Sequence, residues 1–303
     1  MQKKVLSLVG FTSVEEIGQY LDEFSDMQVE LSYKMDRPFL ERVAPMLSGR
    51  VASVHACCPE EPIFPNFGSH NQEVLKESYL AVEESFRTAS RFQADILVLH
   101  PGYVTDFAIP SDNQKRKQLL SDPSFLPNVF KEEGSICYPS YPQTDVYRSH
   151  AEQARRELKK VALLGKSYGV RLAVENLNPR VGYLFQTPSE MVSLTMDNPD
   201  LYLCLDVGHL WIASCLYGFD YYAGLRTILD TNRVINCHLH ANGSNSSGQK
   251  YSDDHHSLDK YGFPYESVVA ILQGTGANLV LETVEDPRKN TLLLKNLMDT
   301  KRR

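Results

Sequence analysis

Short apolar runs alternate with longer amphipathic stretches along almost the whole chain. Eight runs read as strands: Val5–Phe11, Met27–Tyr33, Val51–Cys58, Asp95–Gly102, Val170–Leu177, Leu201–His209, Val234–His240 and Asn278–Val284. Between them, apolar residues recur at helical spacing. Ile17, Tyr20, Leu21 and Phe24 share one face behind a capping box at Ser13-Val-Glu-Glu16. Helices are also predicted over Phe39–Leu47, Gln72–Phe92, Phe219–Leu229, Pro264–Leu272 and Pro287–Met298. Another follows Ser149 and Glu152, read as a second capping box, and a third opens at Thr187-Pro-Ser-Glu190.

The strand-like runs are apolar on both faces rather than alternating, the pattern of a parallel sheet covered by helices. Eight such units in 303 residues predict an α/β fold, a closed (β/α)8 TIM barrel, as one domain over residues 1–303. The rhythm lapses between residues 103 and 147, a Pro-, Tyr- and Phe-rich segment far longer than an ordinary connection. It is expected to be an insertion after strand four, serving as a lid, as a homo-oligomer contact or as a plain surface insertion with short helices.

Six of the runs end in a residue that does not belong in an apolar strand. The clearest is Leu203-Cys-Leu-Asp-Val-Gly-His-Leu-Trp211, where a buried run stops at Asp206 and His209. Side chains alternate along a strand. Asp206 therefore shares a face with Cys204, Glu175 with Ala173, His238 with Asn236 and Val234, Glu282 with Val280, His55 with Ser53, and His100 with Val98. Each polar residue is the last on an inward face, at the strand end where barrels build their sites.

His55, His100, Glu175, Asp206, His209, His238, Asp253, His255 and Glu282 are thus expected to converge. Gathering four carboxylates in one buried place is unfavourable without cations. Mixed imidazole and carboxylate donors suit Zn²⁺, Mn²⁺ or Fe²⁺. We expect one to three divalent ions per chain, Mn²⁺ or Zn²⁺. The six cysteines contain no CxxC pair and none falls at a ligand position, which argues against a thiolate zinc site.

Composition changes this picture little. The chain is 42% hydrophobic and 23% charged, with a net charge of −7. No global positive field favours a polyanion. Neither a leader-like stretch nor a membrane-length apolar run is read, so a cytoplasmic location with reduced thiols is expected.

The motifs Ser53-Val-His55, His100-Pro-Gly102, Val174-Glu-Asn176, Leu205-Asp-Val-Gly-His209, His238-Leu-His240, Asp253-Asp-His-His-Ser-Leu258 and Leu281-Glu282 resemble the xylose isomerase-like TIM barrel superfamily. That group holds sugar isomerases and epimerases together with endonuclease IV. In the ketose epimerase branch, the resemblance implies a metal on Glu175, Asp206, His238 and Glu282, with the two glutamates as acid and base. In the endonuclease branch it implies that all nine positions are ligands of a three-zinc cluster.

Departures stand beside the matches. Ala56-Cys-Cys-Pro59 lacks the DNA-opening tyrosine of the endonuclease, and His238-Leu-His-Ala-Asn242 lacks its Asn-Asp-x-Lys ending. Glu175-Asn-Leu-Asn-Pro179 replaces a glycine-rich continuation, and Asp259-Lys-Tyr-Gly262 stands where Gly-x-Gly is usual.

The leading expectation is a metal-dependent isomerase or epimerase acting on a sugar, sugar phosphate or related polyol through an enediolate. Glu175 and Glu282 would move the proton, and Asn176, Trp211 and His240 would contact a small carbohydrate-like substrate. The alternative is a zinc-dependent phosphodiesterase acting at abasic sites in DNA.

Overall fold

The computed structural model describes residues 2–120, 122–196 and 198–299. Eight parallel strands close into a barrel: β1 Lys4–Ser7, β2 Gln28–Leu31, β3 Val51–His55, β4 Ile96–Leu99, β5 Arg171–Glu175, β6 Leu201–Asp206, β7 Val234–Leu239 and β8 Asn278–Leu281. They pair in chain order, and β8 returns to β1 through Val5 opposite Val280. The fold is the expected (β/α)8 barrel.

The alternation along the strands separates two cores. Leu97, Leu99, Leu172, Val174, Leu203 and Leu205 join the large outer core shared with the helices. Ile96, Val98, Ala173 and Cys204 pack together on the other face, and Val5, Ala52 and Val280 form a further small group. The next inward positions after Val98, Ala173 and Val280 are His100, Glu175 and Glu282. Strand parity thus carries directly into site geometry. One assignment differs: Val234 lies in the outer core, whereas Ile235 packs on the inner one. The register jumps there, Leu203 facing Val234 but Cys204 facing Asn236, and a bulge reverses parity for the residues before it.

Other boundaries also move. The first strand stops at Ser7, and a 3₁₀ turn takes Leu8–Gly10. The sixth strand ends at Asp206, not His209, because a helix, Val207–Tyr217, begins at once. Its start is fixed by Asp206, whose Oδ1 accepts the His209 N–H at 2.6 Å as an N-cap. Ser149 lies inside the helix Asp145–Ser167 rather than at its start. Thr144 caps that helix, accepting from the Tyr147 N–H at 3.3 Å. The Thr187 box forms as expected, with Glu190 Oε2 accepting the Thr187 N–H at 3.0 Å.

The 103–147 segment carries structure of its own. Ile109–Pro110 pairs with Ile63–Phe64, a helix spans Asn113–Leu120, and Val129–Lys131 pairs with Ile136–Cys137. It docks on the loop that follows β5. Val104 N donates to Gly182 O (2.8 Å), Cys137 N to Pro179 O (3.0 Å) and Val181 N to Ser135 O (2.9 Å). Among the described residues no helix is long and apolar enough to cross a membrane.

Candidate metal centre

The polar strand ends meet at the C-terminal mouth of the barrel. Among the described residues, three groups bring their donor atoms within 4.8 Å of one another: His55, His100 and Glu175; Glu175, Asp206, His238 and Glu282; and His209, His240, Asp253 and His255. Glu175 belongs to two of them. Its Oε2 lies 3.2 Å from His55 Nε2 and 3.5 Å from His100 Nε2, while Oε1 lies 3.2 Å from His238 Nδ1. Glu282 Oε2 approaches the same His238 nitrogen, also at 3.2 Å.

Five imidazoles are oriented in one way. Each turns one nitrogen to a group outside the cluster and the other towards the carboxylates. The outer contact is a hydrogen bond in four of them and an approach to a carboxylate without hydrogen-bond geometry at His238. His55 Nδ1 donates to Ala56 O (2.9 Å), His209 Nδ1 to Asn176 O (2.9 Å) and His255 Nδ1 to Glu282 O (2.9 Å). His100 Nδ1 meets the Tyr103 hydroxyl at 3.3 Å, and His238 Nε2 lies 3.1 Å from Glu30 Oε1. Such outer contacts select the tautomer that a metal-ligating histidine needs. The free nitrogens of His209 and His255 lie 3.4 and 3.2 Å from Asp253 Oδ1.

Among the described residues three buried carboxylate oxygens have no hydrogen-bond donor: Glu30 Oε1 beneath His238, and, within the donor groups themselves, Asp206 Oδ2 and Asp253 Oδ1. The opposite oxygens of these two aspartates are satisfied: Asp206 Oδ1 caps its helix, and Asp253 Oδ2 accepts from Asn178 Nδ2 at 2.7 Å. A buried anionic oxygen without a donor is unfavourable unless a cation takes it. The donor set, its orientation and the two orphaned oxygens within it fit divalent metal ions.

Electrostatics couple these groups. Burial prevails at His100, which it lowers, whereas at Glu175, His209, His238 and His255 the mutual pairing outweighs it. His238, His100 and His55 hold Glu175 well below the usual carboxylate range against burial. Burial would lower His255, but Asp253 and Glu282 push it up to about 9. His209, also resisted by burial, is raised well above its ordinary value by Asp206 and Asp253.

All nine residues expected to converge do so. The stretch Asp253-Asp-His-His256 splits by alternation: Asp253 and His255 turn inward, whereas His256 Nδ1 meets Glu285 Oε1 at 2.9 Å. His255 takes a left-handed φ of 47°, a conformation costing about 1 kcal/mol or more. Its contacts to Glu282 O and from Val284 N hold it there. Tyr261 and Gly262 both have positive φ, so a tyrosine occupies a conformation that usually favours glycine.

The three expected substrate contacts are placed differently from one another. His240 joins the third group, with Nε2 3.1 Å from Asp206 Oδ1 and its ring stacked on His255 at 3.8 Å. Asn176 uses both ends of its amide on the Asp206 main chain, donating to O at 2.9 Å and accepting from N at 2.8 Å. That ties the mouth of β5 to β6. Trp211 packs against Tyr221 and Phe263 and donates Nε1–H to Ser244 O (3.0 Å).

Several site residues escape the sequence reading. Glu30 is fully buried on β2 and accepts from Ser53 Oγ (2.6 Å) and Asn236 Nδ2 (3.0 Å) besides facing His238. A carboxylate amid Val29 and Leu31 is the same kind of signal that marked the later strands. Asn178 and Arg180 beside Asp253 carried no periodic signal, because they lie on a loop. Tyr33, Phe64, Tyr103 and Tyr183 form an aromatic wall at the mouth, with Tyr33 5.5 Å from His55 and Phe64 5.7 Å from His100.

Comparison with known proteins agrees with this fold. No functionally curated sequence matches the chain. Among solved structures, a D-tagatose 3-epimerase-like protein is 16% identical, with a TM-score of 0.69 and 99% and 98% of the two chains covered. The 3-keto-D-glucoside 4-epimerase YcjR of E. coli gives 12%, 0.65, and 99% and 100%. Endonuclease IV of Thermus thermophilus gives 17%, 0.56, and 99% and 97%. At these identities the likeness speaks for the fold. The sequence model of the xylose isomerase-like TIM barrel family matches residues 5–299, and the chain belongs to that family.

Proposed function

We propose that the protein is a metal-dependent isomerase or epimerase of a sugar, sugar phosphate or related polyol, working through an enediolate. The observation that carries this reading is the pairing of Glu175 and Glu282 around one point. They come from β5 and the end of β8, and each places an oxygen 3.2 Å from His238 Nδ1.

A divalent cation held by Glu175, Asp206, His238 and Glu282 would supply Lewis acidity, drawing electron density from a carbonyl and its neighbouring hydroxyl. The chain's own residues do the rest. One glutamate removes the proton from the carbon beside the carbonyl, and one of the two returns it. Glu282 keeps some exposure at the mouth, whereas Glu175 is bound more deeply by three histidines. The aromatic wall of Tyr33, Phe64, Tyr103 and Tyr183 limits water around the exchanging proton.

A second reading, zinc-dependent phosphodiester cleavage at abasic DNA, draws on the presence of three donor groups instead of one. Endonuclease IV is among the structural neighbours. Against it stand the net charge of −7 and the altered stretches after His55 and His238.

The test offers metal-loaded protein a panel of ketoses and their phosphates in deuterated water, and separately an abasic-site duplex. Exchange at the carbon beside the carbonyl is expected, abolished in Glu282→Gln. Cleavage of the duplex without any exchange would overturn the isomerase reading. Elemental analysis of the same preparation identifies and counts the ions.

A further inference from the structure

Arg180 stands at the mouth beside the third donor group. Its main chain is fixed on several sides: it bridges to Ile136, and its carbonyl accepts Gln186 Nε2 at 2.8 Å. The flanking bonds Cys137 N to Pro179 O and Val181 N to Ser135 O complete the clamp. Gln186 is itself held, donating Nε2 to Tyr183 O at 2.7 Å and accepting from the Tyr217 hydroxyl. The loop therefore delivers its guanidinium to a set place.

That guanidinium is short of acceptors. Nε is buried without one, and Nη2 stops 3.8 Å from Asp253 Oδ2, which already accepts from Asn178. Tyr183 lies alongside, 5.9 Å from ring centre to the guanidinium carbon. An arginine whose Nε is shut off from water while its head reaches an open edge has a strong preference for an anionic partner. Its planar fork matches the paired oxygens of a phosphate or carboxylate.

Position matters as much as chemistry. The side chains of Arg180, His255, His100 and Asp253 keep 26, 21, 20 and 15% exposure, against 1% or less for Glu175, Asp206 and His238. The open edge of the centre is thus the edge on which Arg180 stands. Arg116, 5.1 Å over the Phe64 ring, adds positive charge to the aromatic wall. In a chain of net charge −7, Arg180 and Arg116 bring positive charge to the open edge of the carboxylate cluster and to its aromatic wall.

We propose that Arg180 reads the charge of the substrate: the molecule turned over carries a phosphate monoester or a carboxylate, which Arg180 binds while the polyol end meets Glu175 and Glu282. This rests on the isomerase reading and narrows it to anionic substrates. Neutral ketoses are then poor substrates.

Matched sets decide it: a neutral ketose, its phosphate monoester and the corresponding sugar acid, each followed by solvent deuterium exchange on metal-loaded protein. An anionic member is expected to have the higher kcat/KM, and comparison of the two anionic arms says which oxyanion is preferred. Arg180→Gln should raise KM for that member about 30-fold with little change in kcat, the loss of a charge-assisted pair. Arg180→Lys should fall between, keeping the charge but not the fork.

Equal turnover of neutral and anionic members would overturn the proposal, as would an Arg180→Gln defect confined to kcat. Metal content of Arg180→Gln should match wild type; loss of an ion would instead make Arg180 a support for Asp253 and refute the substrate role. Absence of exchange on every ketose would reject the isomerase reading. Titration calorimetry with inorganic phosphate then still reads Arg180 by itself. Binding at least about tenfold weaker in Arg180→Gln supports anion recognition, and equal affinity removes it.

Discussion

Glu30 and His238 face each other beneath the site, Oε1 to Nε2 at 3.1 Å, with neither side chain exposed. Glu30 is fixed in turn by Ser53 and Asn236. This leaves His238 Nδ1 as the nitrogen that faces Glu175 and Glu282. Replacing Glu30 with Gln should leave the fold intact and weaken metal binding about 10- to 100-fold, the usual effect of losing such an outer partner. Competition with a chromophoric chelator measures the affinity. Activity should recover in excess metal, and a loss that metal cannot restore would contradict the positioning role.

Gly208 is required by its neighbour rather than by its backbone. A Cβ at this position would lie 2.3 to 2.7 Å from three ring atoms of His240. Gly208→Ala should destabilise the protein by about 1–3 kcal/mol through overpacking. Removing the obstructing ring as well, in Gly208→Ala/His240→Ala, should recover part of that loss. Urea denaturation of the singles and the double reads the coupling, and strictly additive effects would show that the clash is not its source.

Tyr147 braces the loop that carries Asn178 and Arg180. Its hydroxyl donates to Glu190 Oε1 (2.5 Å) and accepts from the Phe185 N–H (2.8 Å). Tyr147→Phe leaves both groups without that partner in a buried place, a loss of about 1–3 kcal/mol. Limited proteolysis should then cut within residues 177–186 faster than in wild type. Unchanged protection there would show that the insertion contacts hold the loop without help from Tyr147.

Asp26 ties the two ends of the barrel chain, with Lys4 at 2.7 Å and Lys295 at 2.6 Å. Lys295 and Lys4 lower its carboxyl from 3.8 to about 2. A depressed folded-state value means that the contribution is present above about pH 4 and is lost as pH falls towards 2. Asp26 is half exposed, so solvent screening keeps the effect small. Asp26→Asn should be less stable than wild type at pH 7, and the difference should close between pH 4 and 2. Denaturant midpoints across that window test it; a gap that widens on acidification would reverse the sign.

The third donor group depends on two segments that are far apart in sequence. Asp253 and His255 come from the loop after β7, His209 from the first turn of the helix after β6. Spacing alone did not bring them together. What joins them is a helix that starts immediately at Asp206 and turns His209 towards the barrel mouth. The same Asp206 carboxylate caps that helix with one oxygen and offers the other, without a donor, to the centre.

Period-two alternation and strand-end polarity were enough to determine the barrel, its inward face and six of the converging residues, His55, His100, Glu175, Asp206, His238 and Glu282, because both are local properties of an extended chain. Tertiary structure alone decided the rest. The bulge at Ile235 depends on pairing with β6, and Glu30 becomes part of the site only when β2 closes against β3 and its carboxylate meets Asn236 of β7. Asn178 and Arg180 lie on an irregular loop whose course is set by the distant 103–147 segment. No periodicity encodes such contacts; they exist only once the barrel has closed.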